Sequence, residues 1–115
     1  MRDDRDRLLD VLEAIERIDK HAVRGRQAFQ ADELIQTWMI HHLQIIGEAC
    51  RSVSDDLKLR FPQVPWAKIT GMRNILVHQY FGIDTQAVWA AVADDLPALG
   101  KHIEQMLAQM SDESE

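Results

Sequence analysis

The spacing of the apolar residues constrains the fold of this chain more than any other feature. Between about Asp3 and Arg24 they recur every three or four positions, and the same period returns in 32–54, in 65–82 and after Asp84. This period places apolar side chains on one face of an α-helix, and no stretch shows the strict alternation typical of a strand. The sequence therefore predicts an all-α fold, an antiparallel up-and-down helical bundle.

Local signals predict where these helices begin and end. The stretch Arg24-Gly25-Arg26 is a natural break, and Asp32 is a suitable N-cap for a second, central helix that runs to 52–54. Ser54 then opens a short helical turn that ends before Pro62. Pro65–Gly82 should form the next helix, because proline fits the first turn and glycine favours a stop.

The remainder of the chain predicts one more long helix after Asp84. Pro97 falls within its apolar pattern, so we expect a kink or a break there. The polar tail, 110–115, is expected to be frayed. At 115 residues, the chain is expected to form a single domain over 1–115.

Composition limits the classes of function. No apolar run approaches the roughly 20 residues that span a bilayer, and the N-terminus lacks a signal-peptide pattern. These features predict no membrane partner. The single cysteine, Cys50, predicts a protein without an internal disulfide and a cytoplasmic location. The net charge of -6 argues against a general nucleic-acid binder. However, 84–115 carries seven acids and one base, whereas 61–83 carries Lys68 and Arg73 and no acid, so a local positive patch is possible.

The helix predicted over Pro65–Gly82 carries the residues with chemical capability. Arg73 supplies a permanent cation whose planar fork matches phosphate oxygens, and His78 can take or return a proton near neutral pH. These two groups meet the minimum for RNA cleavage without a metal, in which a base activates the ribose 2′-hydroxyl and a cation stabilises the charge on phosphorus. Asn74, four residues before His78, could position a ligand or the imidazole.

The spacing of these residues favours a dimer. Five residues separate Arg73 and His78 by roughly 140° around an ideal helix and by about 7.5 Å along it. They are therefore not neighbours by default, and two-fold pairing of two helices would bring them into one groove. Tyr80 lies seven residues after Arg73 and so on nearly the same face.

Each of these residues also has a purely structural interpretation. Arg73 and His78 could be a surface charge and an imidazole stabilised by the helix dipole, and Tyr80 could belong to the edge of the core. His41 and His42 are about 100° apart on a helix, so they do not form a metal-binding pair, and His42 is expected in the core or an interface.

Three further residues are explained by packing in the core. Trp66 and Trp89 are expected to pack in the core, and Cys50 to behave as a small buried hydrophobe. No motif in the sequence predicts a metal or a cofactor.

The central segment resembles the HEPN domain family, whose signature is an arginine, four to six residues, and a histidine. More narrowly, Arg73, His78 and Tyr80 look like the motif of its HepT toxins. Further positions that match that family's pattern are Ile46-Gly47-Glu48-Ala49, Pro65-Trp66, Ile69, Gly71, Arg73-Asn74, Asp84, Trp89 and Leu96-Pro97.

The resemblance implies a dimeric ribonuclease that acts on RNA without metal, as the toxin of a type VII toxin–antitoxin pair. Arg73 and His78 would be catalytic, in a groove at the dimer interface, and the dimers could assemble further. It also implies a partner, a nucleotidyltransferase antitoxin of the MntA type that silences the toxin by AMPylation of Tyr80. Glu48 matches a family position to which the resemblance assigns no role, and its pairing with Arg73 across the bundle is a hypothesis only.

Two alternatives lack catalysis. The chain could be a helical module that binds a minimal nucleotidyltransferase and serves as its substrate, without cutting RNA. It could also be a structural helical dimer with no nucleotide chemistry.

Overall fold

The computed structural model describes the backbone of residues 3–77 and 84–113 and the side chains of 3–72 and 84–111. The described part is helical and contains no strand, which confirms the predicted fold class. Its helices are α1 (Asp4–Ala22), α2 (Arg26–Ala31), α3 (Glu33–Ser52), α4 (Asp55–Arg60), α5 (Trp66–Val77), α6 (Thr85–Ala90) and α7 (Leu96–Glu113), with a π-helical turn (Ala91–Asp95) between the last two.

α3 is the central helix of the bundle, as its wide apolar face predicts, and it packs most extensively against α1 and α5. Contacts near both ends show that α1 and α3 are antiparallel. The Arg7 guanidinium donates to the Ser52 carbonyl at 2.6 Å, and the Trp38 indole donates to the Arg17 carbonyl at 3.0 Å. α7 covers α1 from another side.

The caps are where the sequence predicts them. The Asp32 carboxylate accepts from the Leu34 N–H at 2.9 Å and begins α3. The Ser54 hydroxyl accepts from the Leu57 N–H at 3.2 Å and begins α4. These side chains satisfy amide groups that the first helical turn leaves without a partner.

The break at Gly25 holds a helix that the sequence pattern does not predict. Gly25 has a φ of 92°, which glycine tolerates, and the chain turns there directly into α2. Six residues are too few for an apolar period, and α2 has one fully buried side chain, Phe29. That ring lies 5.3 Å from the Trp89 ring, centroid to centroid, which confirms Trp89 as a packing residue.

The predicted interruption near Pro97 is confirmed as a π-helical turn. Leu96 donates its N–H to the Ala91 carbonyl, five residues back instead of four. Pro97 has no N–H to continue the normal ladder, and the wider turn accommodates this change. α7 then continues to Glu113, farther into the polar tail than expected. No helix in the described ranges is long and apolar enough to cross a membrane.

Candidate active site

α5 is held in place at its first turn and along one face. The Trp66 indole donates to the Phe61 carbonyl at 3.0 Å, so Trp66 closes the turn that follows α4. Ile69 and Met72 are buried in the core. The predicted helix is therefore confirmed from Trp66 to Val77, and it begins directly after Pro65.

Two of the four predicted site residues belong to the described backbone of this helix. Arg73 and Asn74 lie within α5, but their side chains are outside the described residues. His78 and Tyr80 also lie outside the described residues. The convergence of Arg73 with His78, and the dimer that would produce it, stay predictions.

Two acidic residues of 84–115 lie beside α5, so the charge around this helix is less positive than the residues of 61–83 alone indicate. Lys68 forms an ion pair with Asp95 across 3.0 Å, and Asp94 and Asp95 both line a pocket beside α5. The acidity of 84–115 is therefore not remote from the motif helix. The π-helical turn carries both carboxylates, and no periodicity in the sequence relates positions 68 and 95.

This pocket has a volume of about 310 Å³ and lies between α5 and the α6–π segment. Its lining is mostly apolar and includes Met72, Ala87 and Ala91. This volume is at the lower end of the range of roughly 300–1,000 Å³ that small-molecule pockets have. The sequence analysis did not identify it, because small alanine side chains at helical spacing are also typical of ordinary packing.

Glu48 lies on α3, the helix that packs against α5. Its carboxylate is 3.3 Å from the Arg51 guanidinium, and both side chains are about half exposed. The pairing of Glu48 with Arg73 stays an untested hypothesis, because the Arg73 side chain is not described.

Two structural interpretations from the sequence are confirmed. His42 is 3% exposed, and its ring bonds through Nδ1 to the Trp38 carbonyl at 2.8 Å. Cys50 is fully buried, and this burial raises the pKa of its thiol to about 12. A thiol of this kind is not a nucleophile near neutral pH.

Within 3–72 and 84–111, no group of three or more His, Cys, Asp or Glu side chains is arranged to hold a metal ion. His41 and His42 are accordingly not part of such a group, although their ring centroids are 5.0 Å apart.

Comparison with known proteins identifies the class of protein that this bundle represents. The family profile described as Ribonuclease HepT-like matches residues 11–106, which include α5 and the motif positions. The chain belongs to the HepT-like ribonuclease family.

Individual relatives agree with this family. The chain is 40% identical over 95 residues to a Methanocaldococcus jannaschii protein that carries the name "Putative RNase", covering 83% of this chain and 82% of that protein. It is 36% identical over 106 residues to a Thermococcus cleftensis protein named "Probable ribonuclease HepT", covering 91% of this chain and 96% of that protein. No solved structure matches the chain.

Proposed function

We propose that this protein is a metal-independent endoribonuclease that cleaves RNA with Arg73 and His78, as the toxin of a type VII toxin–antitoxin pair in the cytoplasm. The observation that carries the proposal is the family match over residues 11–106, which spans α5 and both motif residues. The single-domain organisation over 1–115 and the homodimer are parts of the same proposal.

The chemistry needs two groups. His78 takes the proton of the ribose 2′-hydroxyl, and the 2′-oxygen forms a bond to phosphorus as the bond to the 5′-oxygen breaks. Arg73 places its guanidinium on the non-bridging oxygens, where negative charge accumulates. The leaving 5′-oxygen takes its proton from solvent, so one His78 and one Arg73 suffice, and in a two-fold groove they can come from different copies. The products are a 2′,3′-cyclic phosphate and a 5′-hydroxyl.

Asn74 acts as a positioning residue in this proposal. It precedes His78 by four residues, so on a continuous helix it would lie one turn away on nearly the same face. Its amide can bond the imidazole and set its tautomer, or bond the phosphate. In the first case, Asn74→Ala would shift the pH profile of cleavage. In the second case, it would raise KM with little change in kcat.

Regulation is proposed to occur at Tyr80. A partner nucleotidyltransferase of the MntA type would transfer AMP to the Tyr80 hydroxyl, releasing pyrophosphate from ATP. The added phosphate is anionic and bulky, so it would exclude the RNA phosphate by like charge and by volume. Intact mass after incubation with a co-encoded nucleotidyltransferase and ATP tests this step, and Tyr80→Phe should prevent the mass increase.

The decisive experiment uses the purified protein without its partner. The wild-type chain should cleave RNA in the presence and absence of EDTA, and His78→Ala should abolish cleavage. His102→Ala is the matched control, since His102 is a half-buried histidine on α7 outside the motif. Activity that survives His78→Ala would remove this residue from the mechanism, and loss of activity in EDTA would refute metal independence.

The shared groove has its own test. Arg73→Ala and His78→Ala homodimers should both be inactive, but a mixed dimer keeps one intact residue of each kind. If the two copies build one site, mixing the variants should restore part of the activity. No recovery in verified mixed dimers would show that each site uses residues of a single chain.

A further inference from the structure

The pocket beside α5 has no role in the ribonuclease mechanism proposed above. Its apolar part is formed by one side chain of α5, Met72, and by three alanines of the α6–π segment, Ala87, Ala90 and Ala91. Apolar side chains of this kind pack on the faces of nucleobases in proteins that read unpaired bases. The pocket also lies next to the motif, since Met72 directly precedes Arg73 in α5.

Three charged side chains form the polar part of this pocket. Lys68, Asp94 and Asp95 line it, and the Lys68 ammonium lies 3.0 Å from an Asp95 carboxylate oxygen. This ion pair holds a donor beside an acceptor. Both groups keep capacity for further hydrogen bonds, because an ammonium has several N–H groups and a carboxylate has several lone pairs. Asp94 is exposed and adds a second carboxylate.

These charges decide which part of an RNA can enter the pocket. Two carboxylates against one ammonium repel a phosphate, so the backbone stays outside and a neutral base enters. A base that matches two acceptors and one donor must offer two donor groups and one acceptor on the same edge. Guanine does so on its Watson–Crick edge, with N1–H, the 2-amino group and O6, whereas adenine, cytosine and uracil each have a single donor group there.

We propose that this pocket is a guanine subsite for the RNA substrate. The Lys68 ammonium donates to O6, and the Asp95 carboxylate beside it accepts from N1–H. Asp94 accepts from the 2-amino group, and Met72 packs on the ring. This inference rests on the proposed ribonuclease function and adds to it a base preference, at a nucleotide next to the phosphate that Arg73 holds.

Binding is measured apart from cleavage, with trinucleotides methylated at every 2′-oxygen so that this oxygen cannot attack phosphorus. They carry guanine, hypoxanthine or adenine between two uracils, and hypoxanthine is the matched probe because it is guanine without the 2-amino group. With ¹³C-labelled methionine methyl groups, the guanine trinucleotide should shift the Met72 resonance and not that of Met39, which is fully buried on α3. It should bind about tenfold more tightly than the hypoxanthine trinucleotide, the contribution of one hydrogen bond to a charged group.

Two substitutions in the pocket should act differently. Asp94→Ala removes the acceptor of the 2-amino group, so guanine and hypoxanthine should bind equally. Lys68→Met removes the donor to O6, which both bases carry, so both should bind more weakly with their ratio retained. Glu104→Ala is the control for Asp94→Ala, since Glu104 is exposed on α7 and does not line the pocket. It should retain the tenfold preference.

A guanine preference that Asp94→Ala removes and Glu104→Ala retains supports the subsite. Equal binding of guanine and hypoxanthine to the wild type, or an unmoved Met72 resonance with all three trinucleotides, would overturn it. A preference unchanged in Asp94→Ala, or an unchanged affinity for guanine in Lys68→Met, would do the same.

Cleavage of unmodified RNA separates this inference from the function on which it rests. A protein that binds guanine in this way but does not cut RNA keeps the subsite and loses the ribonuclease. A protein that cuts RNA without the guanine preference keeps the ribonuclease and loses the subsite.

Discussion

α3 and α5 lie side by side in the bundle, yet they differ in what their sequences must satisfy. α3 spans 20 residues and buries eight of them, including the polar Gln36 and His42, which both have hydrogen-bond partners. α5 spans 12 residues, and its described side chains bury Ile69 and Met72. The comparison teaches that the scaffold and the proposed chemistry occupy different helices. Mutations in the two helices should therefore affect different properties.

The largest effect is expected from the motif helix. Arg73→Ala should lower RNA cleavage by about a thousandfold, since it removes the cation that stabilises the transition state. If Arg73 serves the chemistry and not the scaffold, the free energy of unfolding should change by less than about 0.5 kcal/mol. Cleavage assays and urea denaturation measure the two quantities.

Arg26→Ala is the control for Arg73→Ala, because Arg26 is an exposed arginine on α2. It should leave cleavage unchanged. If Arg73→Ala instead destabilises the protein by several kcal/mol, Arg73 serves the scaffold. Stability and chemistry are then not divided between α3 and α5.

Cys50, on α3, contrasts with Arg73. Its thiol should be protected from alkylation in the folded protein and should have no role in cleavage. Burial raises the pKa of its thiol from 9.0 to about 12, so the native protein holds about a thousandfold less thiolate at pH 8 than the unfolded chain. Alkylation by iodoacetamide should be slower by at least this factor in the native state. The rate should rise to that of a free thiol in urea.

The same shift has a consequence for stability. Because the folded state binds this proton more tightly, its contribution is complete below pH 9.0 and is lost as the pH rises toward about 12. The free energy of unfolding should therefore fall above pH 9.0, and Cys50→Ala should reduce that slope. An identical slope in both proteins would contradict the assignment to Cys50.

Leu43→Ala tests the scaffold directly. Leu43 is fully buried in the core, and truncation of such a side chain costs about 3 kcal/mol. Leu34→Ala, on the same helix but 81% exposed, is the matched control and should cost little. Under conditions where the protein stays folded, Leu43→Ala should keep its cleavage rate per molecule. A large loss of activity at full folding would couple the core to the site.

The contrast between these helices also explains which features the sequence predicts. The periods that place Leu43, Ile46 and Met39 in the core are imposed by burial along a long helix, so pattern reasoning finds α1, α3 and α7. α2 is not predicted in this way, because it has a single buried apolar residue, Phe29, and is too short for an apolar periodicity. Its burial comes from contacts distant in sequence.

The candidate site is predictable to a smaller degree. The motif residues are recognisable by their chemistry and by resemblance, whereas the Lys68–Asp95 ion pair depends on how the π-helical turn places residue 95 against α5. The orientation of the buried His42 ring, which places Nδ1 at the Trp38 carbonyl, likewise depends on the packing around it. Sequence spacing carries no information on either arrangement.

The smallest expected effects come from two aspartates with the same local role in the two regions. The Asp32 carboxylate caps α3 through the Leu34 N–H at 2.9 Å, and the Asp84 carboxylate caps α6 through the Ala87 N–H at 3.1 Å. Replacement of either by Ala should cost about 1 kcal/mol. However, Asp84 directly follows 78–83, which contains His78 and Tyr80. We therefore expect Asp84→Ala alone to lower cleavage, by about threefold to tenfold.

Asp84→Asn and Asp32→Asn separate the cap from the charge, because asparagine caps a helix about as well as aspartate. Both should retain stability, and Asp84→Asn should retain cleavage. If Asp84→Asn loses as much cleavage as Asp84→Ala, the carboxylate charge matters and not the start of α6. If Asp84→Ala and Asp32→Ala have equal activity, the beginning of α6 does not position the motif, and the site depends on α5 and its dimer partner.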